Sequence, residues 1–186
     1  DVRIAAQGLG RLARGKVDTP GAFLALCLII ATIPAVAVGL VIKVTGLDEA
    51  MRSVAVIGWT MLIFGLVLYW ADMTGGTERT AERWTLKDAA LMGLAQCLAL
   101  IPGTSRSGST ITAARKLGYG REGAAKLAML MSIPVIMASG FVLSLDVIGD
   151  ANWALMRDAS IAAAFAFLAA LGALVLMMRL LRSISF

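Results

Sequence analysis

Ile101–Thr110 reads IPGTSRSGST and joins two apolar segments, Ala89–Ile101 and about Ser107–Leu117, each too short to cross a bilayer. The first carries 13 uncharged residues, about 20 Å of helix against a hydrocarbon core of about 30 Å. Pro102-Gly103 breaks it, and Arg115 and Lys116 return the second segment to water. Two half-length helices with a break at their tip predict a re-entrant hairpin over 89–117. Such backbone is tolerated at membrane depth only where protein or a wet cavity surrounds it.

The flanking sequence supplies that setting. Hydrophobic residues make up 59% of the 186 and charged residues 16%, and mean hydropathy is +0.84. Soluble domains are roughly 45–50% apolar and about 25% charged. Ala22–Ile42, Ser53–Ala71, Leu127–Leu145 and Ala159–Met178 are uncharged windows of 19 to 21 residues, each long enough to span. The expected fold is an all-α integral membrane protein, a single membrane domain over 1–186 with four full spans and the hairpin, part of an inverted-repeat architecture. Pro34 and Pro134 read as kinks within spans. Tyr69, Trp70 and Trp153 fit interfacial belts. Thr85 with Asp88 forms a capping-box-like helix start.

The net charge of +5 does not indicate nucleic acid, because the basic residues fall between apolar windows and no basic face interleaves with aromatics. Asp1–Pro20 has four Lys/Arg, Asp72–Asp88 three and the C-terminal end two; the alternate connections have two (Lys43, Arg52) and one (Arg157). The richer set is expected in the cytoplasm, so the hairpin enters and leaves from that side with its tip near mid-membrane. Asp1–Pro20 reads as a juxtamembrane segment, Asp72–Asp88 as a solvated loop and Asp146–Asp158 as an acidic connection. Cys27 and Cys97 read as buried hydrophobes with no CxxC pair. Histidine is absent, so chemistry must come from Ser, Thr, Arg, Asp or Glu.

As chemistry, the loop is an anion site. Gly103 and Gly108 allow close backbone approach and positive φ. A helix starting near Ser107 leaves its first N–H groups open, a setting that favours phosphate. Arg106 adds a planar cationic fork that grips two phosphate oxygens. Ser105, Ser107, Ser109 and Thr110 offer hydroxyls, or a nucleophile where a base stands nearby. An arginine at this depth costs about 3 kcal/mol, which makes function its default reading. The competing structural reading has Ser107 capping the helix, Arg106 paired with a carboxylate or carbonyls, and the hydroxyls back-bonded within the helix. Gln96 reads as an interhelical hydrogen-bond donor.

The run Ala95–Thr110, AQCLALIPGTSRSGST, resembles the signature of the undecaprenyl-pyrophosphate phosphatases, bacterial bacitracin-resistance enzymes with the motif PGxSRSGxT. Lys87-Asp88-Ala89, Leu117-Gly118, Arg121-Glu122, Ser132-Ile133-Pro134 and the run Ile30–Ala35 with Gly39 agree as well. The resemblance implies a multi-pass inner-membrane phosphatase that converts undecaprenyl diphosphate to the monophosphate carrier of cell-wall synthesis, with a site open to the periplasm. It implies catalytic roles for Arg106, Ser105 and Thr110, and substrate binding by Gly103, Thr104, Ser107, Gly108 and Ser109. It also implies a divalent cation, Mg2+ or Ca2+, for which no ligands are identified in this chain. The expected partners are a polyprenyl diphosphate lipid and the membrane, with homo-oligomerisation left open. The family's first hairpin, with glutamates, serines and a histidine, would precede Asp1, and a span would lie beyond each end. The 186 residues are thus expected to be an internal portion that is inactive alone. A polyprenyl-phosphate transporter and a purely structural membrane protein are the rival readings.

Overall fold

The computed structural model describes residues 2–47, 51–149 and 153–183. It is helical, with no strand among the described residues: α1 Val2–Leu12, α2 Pro20–Thr45, α3 Val54–Thr74, α4 Leu86–Cys97, α5 Arg106–Lys116, α6 Arg121–Gly149 and α7 Trp153–Ser183. Four of the starts have a local cause. Thr19, Ser53, Thr85 and Ser105 cap α2, α3, α4 and α5, their hydroxyls accepting from backbone N–H groups three residues on, the bond that a helix start otherwise lacks. Pro20 opens α2, where its missing N–H costs nothing. Gly46, at φ 68°, closes it.

Four helices are long and apolar enough to cross a membrane, within Pro20–Thr45, Val54–Thr74, Arg121–Ser144 and Met156–Ala173. Each overlaps one of the four expected spans, and Pro20–Thr45 extends its span at both ends. Large apolar side chains stay exposed along them, Trp59, Leu66 and Phe141 among them. That surface is incompatible with water and suits lipid, and the chain is an all-α membrane protein. Pro34 and Pro134 both sit inside continuous helices.

The chain divides into two units, 1–139 and 140–186. The second holds the end of α6 and all of α7, whose described side chains from Arg157 to Ala173 are exposed. Asp150 and the side chains of Asp146, Arg179 and Arg182 lie outside the described residues, as do residues 48–50 of the turn after α2. What is described of the acidic connection Asp146–Asp158 is helix at both ends rather than loop.

In the first unit α2 packs on α1 and α4, and α5 packs on α3 and α4. The contacts are close because the residues are small. A Cβ on Gly93 would strike the backbone of Ala31, and one on Gly8 that of Gly21. Helices in lipid associate by such backbone approach. Asp1–Pro20 is therefore more than the expected juxtamembrane segment: it contains α1, held on α2 through buried Ala5 and Gly8.

Asp72–Asp88 is a solvated loop only in part: Glu78, Glu82, Arg83 and Lys87 are exposed, but Asp72, Arg79 and Asp88 are drawn into a network. Arg115, at 2% exposure, donates Nε to Asp72 at 3.1 Å and Nη1 to the carbonyls of Gly76 and Tyr119 at 2.6 and 2.8 Å. Its Nη2 donates to the carbonyls of Asp72 and Gly75. Arg121 shares Asp72 at 2.7 Å. Asp88 accepts from Arg79 at 2.5 Å, from Tyr119 at 2.7 Å and from the Thr85 hydroxyl at 2.7 Å. Arg79 also covers the Tyr119 ring, 4.4 Å from its centroid. These bonds gather the start of α4, the end of α5 and the end of α3 at one polar end.

Burial pushes the Asp88 carboxyl up, but the donors Arg79, Tyr119 and Thr85 outweigh burial and hold its pKa below the ordinary value. Burial and the ionised Asp88 raise the Tyr119 phenol, so it remains a donor. The stability that Asp88 contributes is complete above its unfolded value of about 3.9 and is lost as pH falls through the lower folded value. Asp88→Asn is expected to cost about 3 kcal/mol at neutral pH, as for one partner removed from a buried pair. It should also flatten the acid limb of stability. Unfolding midpoints in detergent across pH 3 to about 7 test both, and parallel curves for the two proteins would refute the assignment.

Candidate functional site

α4 ends at Cys97, passes through a 3-10 turn at Leu98–Leu100, and breaks over 101–105 before α5 begins at Arg106. The start differs by one residue from the expected Ser107, and the cap is Ser105 rather than Ser107. Ser105 Oγ accepts from the Gly108 N–H at 3.1 Å, and its carbonyl accepts from the Ser109 N–H at 2.9 Å. The first turn of α5 therefore keeps the N–H groups of Arg106 and Ser107 as its open donors among the described residues.

The break is held by α3. Thr60 Oγ1 donates to the Pro102 carbonyl at 2.6 Å. Gly103 has φ 90° and lies so close to Thr60 and Ile57 that a Cβ would collide with both. Thr60 and Asp72 are twelve residues apart on α3, which places the break about 18 Å along the helix axis from the polar feet of the hairpin. Since α3 has 21 residues, about 31 Å, the break stands well inside its length.

The structure brings the predicted site residues into this one break and turn. Arg106 is half-buried, and Nη1 donates to the Ser132 carbonyl of α6 at 3.3 Å. That carbonyl uses one of five guanidinium donors and steadies the fork over the break. Ser105 and Ser107 are exposed, with hydroxyls 3.3 Å apart. Thr110 is fully buried, its hydroxyl donating to the carbonyls of Arg106 and Ser107 at 3.1 and 3.0 Å. Ser109 is buried and donates to the Arg106 carbonyl at 3.0 Å. Thr110 and Ser109 thus brace the first turn from within. Thr104 is buried and its hydroxyl has no partner among the described residues. A Cβ on Gly108 would press on Ser105 at 3.0 Å, so this glycine leaves room for the cap.

Gln96 does not form the interhelical hydrogen bond expected of it. It is buried, and neither its amide nitrogen nor its oxygen has a partner among the described residues. Cys27 and Cys97 are free thiols, buried and half-buried, in keeping with their reading as small hydrophobes. Sequence reasoning missed Thr60 and Ser132. Thr60 is a lone hydroxyl within an apolar span, which is the available signal; Ser132 acts through its carbonyl, and its only trace is the Ser132-Ile133-Pro134 run of the resemblance.

Among the described residues no three His, Cys, Asp or Glu side chains converge as a metal site. The loop itself offers hydroxyls, N–H groups and a cation, which repel or poorly bind a hard divalent ion. These residues do not fit the Mg2+ or Ca2+ that the resemblance implies, and no step is assigned to it. What they do fit is a multiply charged oxyanion, met by a fork, open N–H groups and two exposed hydroxyls.

Residues 2–186 match the family model described as bacitracin resistance protein BacA. A protein of Roseobacter denitrificans named undecaprenyl-diphosphatase is 76% identical over all 186 residues, which cover 70% of its length. One of the same name from Dinoroseobacter shibae is 68% identical over the same span and share. One from Rhodospirillum rubrum, undecaprenyl-diphosphatase 1, is 45% identical over 175 residues, 94% of this chain and 62% of that protein.

The tether from α3 has a direct test. Gly103→Ala forces a side chain into positive φ and against Thr60, and Thr60→Val leaves the Pro102 carbonyl without its donor. The first is expected to cost more than about 2 kcal/mol and the second about 1–3 kcal/mol. Thermal midpoints in detergent report both; a Gly103→Ala protein as stable as the parent would disprove the geometry of the break.

Proposed function

We propose, on the premise that this chain belongs to the bacitracin resistance protein BacA family, that it serves the hydrolysis of undecaprenyl diphosphate to the monophosphate. The observation that carries this reading is Arg106, set at the first residue of α5 beside a Ser105 cap and a positive-φ Gly103. A terminal phosphate seated there meets the Arg106 fork and the N–H groups of Arg106 and Ser107. Ser105 and Ser107 add hydroxyl donors from the exposed side. The water-attacked phosphorus gains negative charge on its equatorial oxygens, and these donors stabilise that charge more than the ground state. As water's oxygen bonds to the terminal phosphorus, the phosphoanhydride P–O bond breaks with its electron pair on the lipid monophosphate, and inorganic phosphate leaves with water's oxygen, the protons passing to the products and solvent. Ser105 acts as a binding donor and cap. Its hydroxyl already accepts from the Gly108 N–H and stands 3.3 Å from the Ser107 hydroxyl, which favours attack by water over attack by Ser105.

The hairpin of α4 and α5 is re-entrant in this reading. Its feet, with Asp72, Asp88, Arg115 and Arg121, lie at the cytoplasmic face of the bacterial inner membrane, where the excess of Lys and Arg falls. The break then sits within the bilayer and opens toward the periplasm, where the diphosphate is presented. The lipid tail stays in hydrocarbon along the apolar faces of the spans. Returning the monophosphate carrier to cell-wall synthesis lowers the pool of diphosphate on which bacitracin acts, which accounts for resistance.

Arg106→Ala in the intact protein is expected to lower kcat/KM for undecaprenyl diphosphate by about 10³-fold, with little change in the unfolding midpoint. Arg106→Lys keeps the charge and loses the fork, so it recovers under about a tenth of the activity. Phosphate release measured in detergent decides the point: parental rates in Arg106→Ala would overturn the assignment. Ser105→Ala should cost about 1 kcal/mol of helix stability through the lost cap and reduce rather than abolish turnover. Complete loss of phosphate release at retained stability would instead mark Ser105 as the nucleophile.

A further inference from the structure

A cavity lies at the opposite end of the hairpin, away from Arg106. It holds 210 Å3 between the start of α2, the turn at 81–84 and the start of α6. Its walls are apolar: Phe23, Leu24 and Cys27 from α2, Leu127 and Leu130 from α6, and Ile4 from α1. Its mouth carries two opposite charges, Lys126 and Glu82, paired at 3.0 Å and both substantially exposed. Trp84 also lines it, 5% exposed, with an indole N–H that has no acceptor among the described residues.

Depth narrows the occupant. The cavity spans the first eight residues of α2, Pro20 to Cys27, about 10 Å of helix from its polar end. In a membrane protein that is the boundary between headgroups and acyl chains. An occupant there has an apolar part that reaches inward and a polar part at the mouth. The mouth is not simply basic. The hydrogen bond from Lys126 leads those that hold the Glu82 carboxyl down to about 2, so Glu82 stays ionised at any physiological pH. An exposed pair of this kind is worth little in itself and can open around a ligand that carries the complementary pair. A buried indole N–H calls for an acceptor such as an ester carbonyl or a phosphate oxygen.

We propose that this cavity binds a zwitterionic, amine-headed phospholipid: upper acyl carbons in the slot, an ester or phosphate oxygen at Trp84, phosphate at Lys126 and ammonium at Glu82. Phosphatidylethanolamine has all four features. Phosphatidylcholine lacks N–H donors for Glu82, and phosphatidylglycerol brings no cation to it. The site is separate from the Arg106 loop and does not depend on its function.

The test uses the protein delipidated in a neutral detergent, with each of the three phospholipids added and the unfolding midpoint recorded. Phosphatidylethanolamine is expected to raise the midpoint by about 4 °C, phosphatidylcholine by less than half of that, and phosphatidylglycerol not at all. Glu82→Gln should abolish the preference for phosphatidylethanolamine over phosphatidylcholine. Cys27→Leu enlarges a buried wall of the slot and should remove the shift for every lipid, each shift being read against the variant's own lipid-free midpoint. Equal shifts from all three lipids would overturn the proposal, as would a full shift retained in Cys27→Leu. Should that variant fail to fold, Glu82→Gln decides alone: an unaltered lipid preference in it refutes the headgroup assignment.

Discussion

Two carboxylates set the geometry of everything else. Asp72 at the end of α3 and Asp88 at the start of α4 take cations and hydroxyls from α5, from Tyr119 and from the start of α6. The hairpin therefore has both feet fixed at one level, and its break can only lie at the far end. Arg115 makes this fixation rigid. Its guanidinium is buried, and every hydrogen bond it makes ends on a carbonyl or on Asp72. A cation satisfied this fully holds the end of α3 and the two loops at Gly75-Gly76 and Tyr119 in one arrangement, whereas the same charge unpaired would be untenable.

From that fixed base, α3 works as a ruler. It runs beside the hairpin and touches it at two heights: Asp72 at the feet, and Thr60 at the break. The hydroxyl of Thr60 supplies the donor that the Pro102 carbonyl lost when the helix was interrupted. This is how protein, rather than water, satisfies irregular backbone in an apolar setting. Arg106 inherits its position from these contacts, with the Ser132 carbonyl of α6 as the last of them. A site that must present a charge within an apolar surround gains from having no loop of its own to order. Here the fork stands on the first residue of a capped helix.

Much of this was legible in the sequence because lipid imposes blunt rules. Uncharged windows of span length, a thirteen-residue apolar piece too short to cross, and Pro-Gly at its end were enough to find the helices and the break. Thr85–Asp88 and the serines at 105–110 signalled helix starts by residue type, although the cap proved to be Ser105. What the sequence hid was long-range. Nothing local says that Arg115 is buried while Arg121, six residues on, is exposed, since that difference depends on which loops fold over each. The Asp72–Asp88 connection looked solvated because its charges match those of a loop, and only the facing chain reveals their partners. Helix α1 was missed for a related reason: Ala5 and Gly8 carry too little hydrophobic signal, yet their smallness is what lets α1 lie against Gly21.

The feet of the hairpin also bear on how the protein is made. Helices α4 and α5 are too short and too polar at their ends to be stopped in the membrane as spans, so neither can enter as an independent segment. Their anchors, Asp72 and Arg121, belong to the ends of the spans on either side and come together only once α3 and α6 stand next to each other. In the proposed re-entrant topology the loop is thus a late product of assembly, drawn in from one face after its neighbours are seated. A defect in α3 or α6 would leave a correctly spanning protein in which the break at 101–105 was never held in place.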